Sequence, residues 1–294
     1  MTQKITPFLW FDTEAEAAMN WYVSLFDDAE VLNVARMGEG GAVMVASFRI
    51  GGLEINLLNG GPTYSITPAV SFFVSCRDVG QVDTLWAALG DGGTPLMPLD
   101  AYPFSERFGW VQDKYGVSWQ LSAGGGEQSV TPFLMFVGEN FRRAEEAMNF
   151  YTSVFDDSRI NQIERYGPDM HEPEGAVMFA TFTLAGQPFH ALESNLDHPF
   201  TFTEGTSFSI SCGDQEEVDY FWNALTAGGE ESQCGWLKDK FGLSWQVIPR
   251  ILPELLGNPA GDVGRVGQAL LQMRKIDIAE LQRAAAGQMG PGNG

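Results

Sequence analysis

The chain repeats itself, and no other feature constrains its fold as much. Ile5-Thr-Pro-Phe-Leu returns as Val130-Thr-Pro-Phe-Leu, Ala18-Met-Asn-Trp-Tyr as Ala147-Met-Asn-Phe-Tyr, and Leu25-Phe-Asp-Asp as Val154-Phe-Asp-Asp. Gly41-Ala-Val-Met returns as Gly175-Ala-Val-Met, and Val82-Asp-Thr-Leu-Trp as Val218-Asp-Tyr-Phe-Trp. The longest block, Gly109-Trp-Val-Gln-Asp-Lys-Tyr-Gly-Val-Ser-Trp-Gln, is matched by Gly235-Trp-Leu-Lys-Asp-Lys-Phe-Gly-Leu-Ser-Trp-Gln. Blocks matched in the same order mean that one unit of about 120 residues is written twice in tandem. The repeats run over 1–123 and 130–249, joined by the polar, glycine-rich linker 124–129 and followed by a tail over 250–294. They differ mainly in two loops, where insertions are tolerated and specificity is often carried: the second repeat is longer through Gly167–Glu174, the first between Gly93 and Gly109.

Each repeat halves again. Residues 6–11 read as a strand, and Thr13-x-x-Glu16 reads as a capping box opening a helix with Ala15, Ala18, Met19, Tyr22 and Phe26 on its apolar face. Alternating segments at Val31–Ala35, Val43–Phe48 and Leu53–Leu58 follow as strands, with Gly51-Gly52 as a hairpin turn. The order then recurs. Val70–Ser75 reads as a strand, and Asp78-x-x-Gln81 starts a helix burying Val82, Leu85, Trp86 and Leu89 and ended by Gly92-Gly93. Further strands flank the turn Asp113–Gly116. The expected class is therefore α+β, with four βαβββ modules and a helical tail in which Ala269, Leu270, Met273, Ile276, Leu281 and Ala284 supply apolar faces. The end beyond Gly287, rich in glycine and proline, is expected to be mobile.

Charge and composition remove several function classes. At 294 residues with 44% hydrophobic side chains the chain can bury a core in each of two domains without disulfides. Its formal charge of −21, with no basic stripe, makes nucleic acid and anionic membranes unfavourable partners. Cys76 and Cys212 occupy equivalent places and are expected as small buried side chains; Cys234 has no basic neighbour to activate it. The N-terminus lacks the basic start and apolar run of a signal peptide, and no apolar stretch is long enough to span a bilayer, so a cytoplasmic location is expected.

The Thr-Pro-Phe starts, the Asp-Lys-(Tyr/Phe)-Gly-(Val/Leu)-Ser-Trp-Gln ends and the terminal Met273-Arg-Lys-Ile-Asp-Ile-Ala-Glu-Leu resemble the PhnB-like branch of the vicinal-oxygen-chelate superfamily. Glyoxalase I and the bleomycin-resistance proteins are its relatives, and the resemblance covers residues 4–286. It implies mixed, curved sheets that form clefts, and a chain that corresponds to a fused dimer, itself monomeric or homodimeric. Metal-dependent relatives place His or Gln near the start of a module's first strand and Glu on its last. Counting along the repeats puts Thr6 or Pro7, Asn56, Ser71 and Gln120 at such places in the first copy, and Thr131 or Pro132, Ala191, Ser207 and Gln246 in the second. Amides and hydroxyls hold a divalent ion poorly, so no metal and no cofactor are expected.

The expected ligand is a small organic molecule, met by Asn56, Ser71, Gln120, Ser207 and Gln246, with Arg107 in the aromatic loop Tyr102–Gly109 as a further binding residue. Whether the chain is an enzyme is left open. The alternatives are a metal-dependent isomerase, lyase or dioxygenase using His190 and Glu193, and a non-catalytic interaction module. His171, His190 and His198 show no paired ligand spacing and read as loop or strand-edge residues. On a strand, Trp119 and Gln120 face opposite ways, so the Ser118/Gln120 face lines a cleft or belongs to core packing. Many PhnB-like proteins carry a ubiquinone-type methyltransferase label. An S-adenosylmethionine site wants a glycine-rich turn in a parallel βαβ unit, whereas Gly38-Glu-Gly-Gly41 sits between antiparallel-looking strands.

Overall fold

In the computed structural model, residues 3–36, 40–257 and 261–288 are described. The chain divides into two compact units: Thr6–Thr206, and a smaller one from Ser207 onward that takes in the chain's start through Ile5. The first module comprises β1 (Ile5–Phe11), α1 (Ala15–Leu25), β2 (Glu30–Arg36), β3 (Val43–Ile50) and β4 (Leu53–Asn59). The second has β5 (Val70–Cys76), α2 (Val79–Gly90), β6 (Thr94–Tyr102), β7 (Ser105–Gln112) and β8 (Ser118–Ala123). The third has β9 (Ser129–Phe136), α3 (Ala144–Val154), β10 (Arg159–Arg165), β11 (Val177–Leu184) and β12 (Gln187–Glu193). The fourth has β13 (Thr206–Cys212), α4 (Gln215–Thr226), β14 (Glu230–Glu231), β15 (Trp236–Lys238) and β16 (Ser244–Pro249), followed by α5 (Ile251–Gly257), α6 (Val263–Gln272) and α7 (Ile278–Ala285). The expected α+β order of strand, helix and three strands is present four times.

Within each module the first strand pairs in parallel with the last, and the other neighbours are antiparallel. In the larger unit the second and third modules share one eight-stranded mixed sheet, ordered β10-β11-β12-β9-β5-β8-β7-β6. Its centre is the antiparallel pair β5–β9, with Ser71 opposite Phe133 and Phe73 opposite Thr131. This sheet crosses the boundary between repeats, while β1 to β4 of the first module belong to a different sheet. What the first repeat's two modules share is a core. Tyr22 of α1, Phe26 just past its end, Phe48, Phe72 and Trp119 pack into one cluster with Val82, Leu85 and Leu89 of α2.

Helix α2 starts as expected, the Asp78 carboxylate accepting from Gln81 N at 2.9 Å. Helix α1 does not. The Thr13/Glu16 capping box is not formed; Glu14 stands at the N-cap without a side-chain capping bond, and Glu16 pairs with Arg36. The first helical N–H, that of Ala15, donates instead to Asn59 Oδ1 on β4 at 2.9 Å. A distant strand satisfies that orphan donor, and no local sequence rule reports it.

At the β3–β4 turn Gly51 has φ +52°, and a Cβ there would lie 2.6 Å from the backbone N of Val130. The turn is held by Asp28, which accepts from Gly51 N at 2.8 Å, and by the Val130 N–H, which donates to Gly51 O at 3.1 Å. Gly51→Ala is expected to cost at least ~1 kcal/mol, through both strain and the backbone clash, read as a lower urea midpoint. An unchanged midpoint would mean that the β9 start is free to move away.

In the smaller unit Lys4 lies beside β13, its Nζ 2.9 Å from Glu217 of α4. The tail forms its own cluster from Leu252, Val266, Met273, Ile276 and Leu281, as the apolar pattern implied. From residue 289 on, the end expected to be mobile lies outside the described residues. Among the described residues no helix is long and apolar enough to cross a membrane.

Candidate functional site

Strand alternation divides the central sheet of the larger unit into two faces. Phe72, Val74, Trp119 and Leu121 face the helices and enter the core. Ser71, Phe73, Ser118, Gln120, Thr131 and Phe133 therefore face the other way. On that side Gln120 Nε2 donates to Ser71 Oγ at 2.9 Å, Trp110 Nε1 donates to Ser118 Oγ at 2.6 Å, and Ser122 Oγ donates to Ser105 Oγ at 3.0 Å. Gln120 and Ser71 are buried, at 5% and 1% exposure, so their bond replaces water on both groups. The amide of a glutamine has a second hydrogen and a carbonyl oxygen beyond the bond made here.

The expected ligand residues are not gathered in one place. Ser71 and Gln120 are together. The duplicate pair is built alike in the smaller unit, Gln246 Nε2 donating to Ser207 Oγ at 3.0 Å. Asn56 is on β4, in a different sheet from β5 and β8, so the grouping of Asn56 with Ser71 and Gln120 by sequence repeat is not what the fold makes. Arg107 is turned away from Gln120: its Nε donates to Asp83 of α2 at 2.7 Å, on the helix side of β7. The loop expected near it is a tight β6–β7 hairpin with Tyr102 opposite Ser105, and the rings of Tyr102, Phe104 and Phe108 pack on one another.

The residue that sequence counting missed is His190. Parallel pairing sets His190 opposite Phe133, as it sets Asn56 opposite Phe8, so His190 and not Ala191 is the counterpart of Asn56. Ala191 faces the helices; a slip of one residue on a strand exchanges faces. The discriminating signal was the pair Asn59 and Glu193, three residues on in each copy, since both accept the first N–H of their module's helix. His190 stands among Phe73, Phe133 and Phe179, and burial holds its imidazole down to about 4, so it is neutral at physiological pH. Its Nδ1 is buried without a hydrogen-bond partner, a condition that costs about 1–3 kcal/mol.

Thr131, His190, Ser71 and Gln120 are polar groups that the central strands place on this face. One imidazole, one amide and two hydroxyls, without a carboxylate, do not fit a catalytic divalent ion, which takes about three strong ligands. His190 and Glu193, three residues apart on β12, face opposite sides of the sheet. Glu193 points to the helix side, accepting from Ala144 N at 2.8 Å and Val177 N at 2.7 Å. Among the described residues no three His, Cys, Asp or Glu side chains are grouped to hold a metal. A separate cavity of about 630 Å³ opens on the helix side of the larger unit, lined by Trp21, Trp86, Asp91 and Pro95. None of the polar pairs above lines it.

A family model described as 3-demethylubiquinone-9 3-methyltransferase matches residues 3–122 and again 128–248. The putative 3-demethylubiquinone-9 3-methyltransferase PhnB protein of Bacillus cereus is 43% identical over 42% of this chain and 100% of its own, with a TM-score of 0.40. A protein from Staphylococcus aureus is 36% identical over 42% of this chain and 97% of its own, at a TM-score of 0.19. Glyoxalase I of Zea mays covers 82% of this chain and 89% of its own at 13% identity, with a TM-score of 0.54, a likeness of fold alone. No curated protein matches the chain. With two matches that together take in most of its length, one on each repeat, the chain belongs to the 3-demethylubiquinone-9 3-methyltransferase family, the PhnB-like branch of the vicinal-oxygen-chelate superfamily, as a tandem duplication.

Proposed function

We propose that the protein binds a small organic molecule on the helix-free face of the sheet shared by the second and third modules, without a conventional metal centre. The observation that carries this reading is the buried Gln120–Ser71 pair on that face, repeated as Gln246–Ser207 in the smaller unit. Their mutual bond offsets the cost of burial, and it uses only part of each amide's capacity to donate and accept, which leaves the rest for a ligand. The donor set supports hydrogen-bonded recognition rather than ion binding. The methyl transfer in the family's description finds little support locally, since Gly40 and Gly41 lie between the antiparallel strands β2 and β3; residues 38 and 39 of that run fall outside the described residues.

The test is thermal unfolding of the full chain across a panel of uncharged small organic molecules. A ligand at about 100 times its Kd is expected to stabilise the fold by about 2.7 kcal/mol. Gln120→Leu is expected to keep the fold and lose most of that gain. A gain of equal size in the variant would place the ligand elsewhere.

A further inference from the structure

The orphaned atom on this face has a twin. His190 Nδ1 is buried without a partner, and so is Oδ1 of Asn56, its counterpart by register in the first module. Duplicate copies that keep a polar group at the same position, unpaired in both, point to a partner that comes from outside the chain. The surroundings of the two differ. The His190 ring lies 5.1 Å from Phe73, 5.6 Å from Phe133 and 5.1 Å from Phe179, with interplanar angles of 69°, 85° and 63°. Phe73 and Phe179 are only half-buried, so the edge of this cluster meets solvent. In the first module the place of Phe179 is taken by Val45, so the phenyl box belongs to the His190 copy.

Resting on the binding reading above, we propose that Phe73, Phe133, Phe179 and His190 form the recognition pocket for an uncharged planar ring bearing a hydroxyl, a phenol. The ring packs against the phenyl groups, whose edges meet a π-face favourably. The hydroxyl pairs with Nδ1, and because a hydroxyl both donates and accepts it serves either imidazole tautomer. An ion is selected against, since phenyl walls and a neutral imidazole return none of the hydration that it would lose.

Calorimetric titration of the full chain with phenol, toluene, benzoate and phenyltrimethylammonium tests this. Phenol is expected to bind at least ten-fold more tightly than toluene, and both more tightly than either ion. In His190→Leu phenol is expected to fall to the level of toluene while toluene keeps its affinity, and His190→Asn, which restores the residue of the other copy, is expected to regain part of the preference. Phe179→Val is expected to weaken phenol and toluene alike. A preference for phenol that survives in His190→Leu, or tighter binding of either ion, overturns the proposal and leaves the binding reading standing. If none of the four binds while another ligand still gives a Gln120-dependent thermal shift, this pocket assignment alone fails; if that shift is absent as well, both fail.

Discussion

Asp113→Ala is expected to cost the chain about 3 kcal/mol or more, because it strands several buried donors at once. The carboxylate is 4% exposed. It accepts from Tyr22 Oη at 2.8 Å, Trp119 Nε1 at 2.8 Å, Tyr115 N at 2.8 Å and Val117 N at 3.1 Å. It thereby ties α1 to the turn that aims β8, and with β8 the alternation that puts Trp119 in the core and Gln120 on the other face. Asp239 does the same for Phe241, Leu243 and Trp245 in the second repeat. Burial raises the Asp113 carboxyl above its ordinary 3.8, against the lowering effect of its hydrogen bonds. A carboxyl raised on folding favours the fold most below its unfolded value and loses that advantage as pH rises through its folded value. The gap between native chain and variant is therefore expected to widen as urea titrations are taken down toward pH 3.8. A loss under about 1 kcal/mol at pH 7 would mean that water reaches these donors.

Glu193→Ala is expected to cost about 2–4 kcal/mol, one buried N–H being orphaned at Ala144 and another at Val177. The side chain closes the N-terminus of α3, where a carboxylate also meets the positive end of the helix dipole. Asn59 makes the corresponding bond to Ala15 in the first module. The same variant separates two roles for the acid, since elemental analysis of protein purified without chelator is expected to be unchanged by it. A variant of native stability that loses a bound divalent ion would show Glu193 to be a ligand and not a cap.

Much of this architecture was legible because duplication doubles every signal. Strand alternation at Val43–Phe48 and Leu53–Leu58 and the Asp78 cap are local, and local rules found them. Sheet partnership is not local. Nothing between Val70 and Phe136 says that β5 pairs with β9 and carries the second module into a sheet with the third. Ser71 and Gln120, grouped from the repeat, do bond each other, while Asn56, grouped with them, lies in a different sheet. Ala191 was matched to Asn56 in place of His190 because register across a parallel pair, and not spacing along the chain, decides which face a residue takes. Arg107 was misplaced by the same parity: Phe108 lies in the cluster on the helix-free side, while Arg107, one residue back, meets α2.

The most direct measurement is a transverse-relaxation-optimised amide NMR titration of the full chain with phenol. The largest shifts are expected at Ser71, Gln120, Phe133 and His190, with Trp21 and Trp86 unmoved. Shifts confined to Trp21, Trp86 and Asp91 would put the ligand in the cavity on the helix side, and would contradict a binding role for the helix-free face.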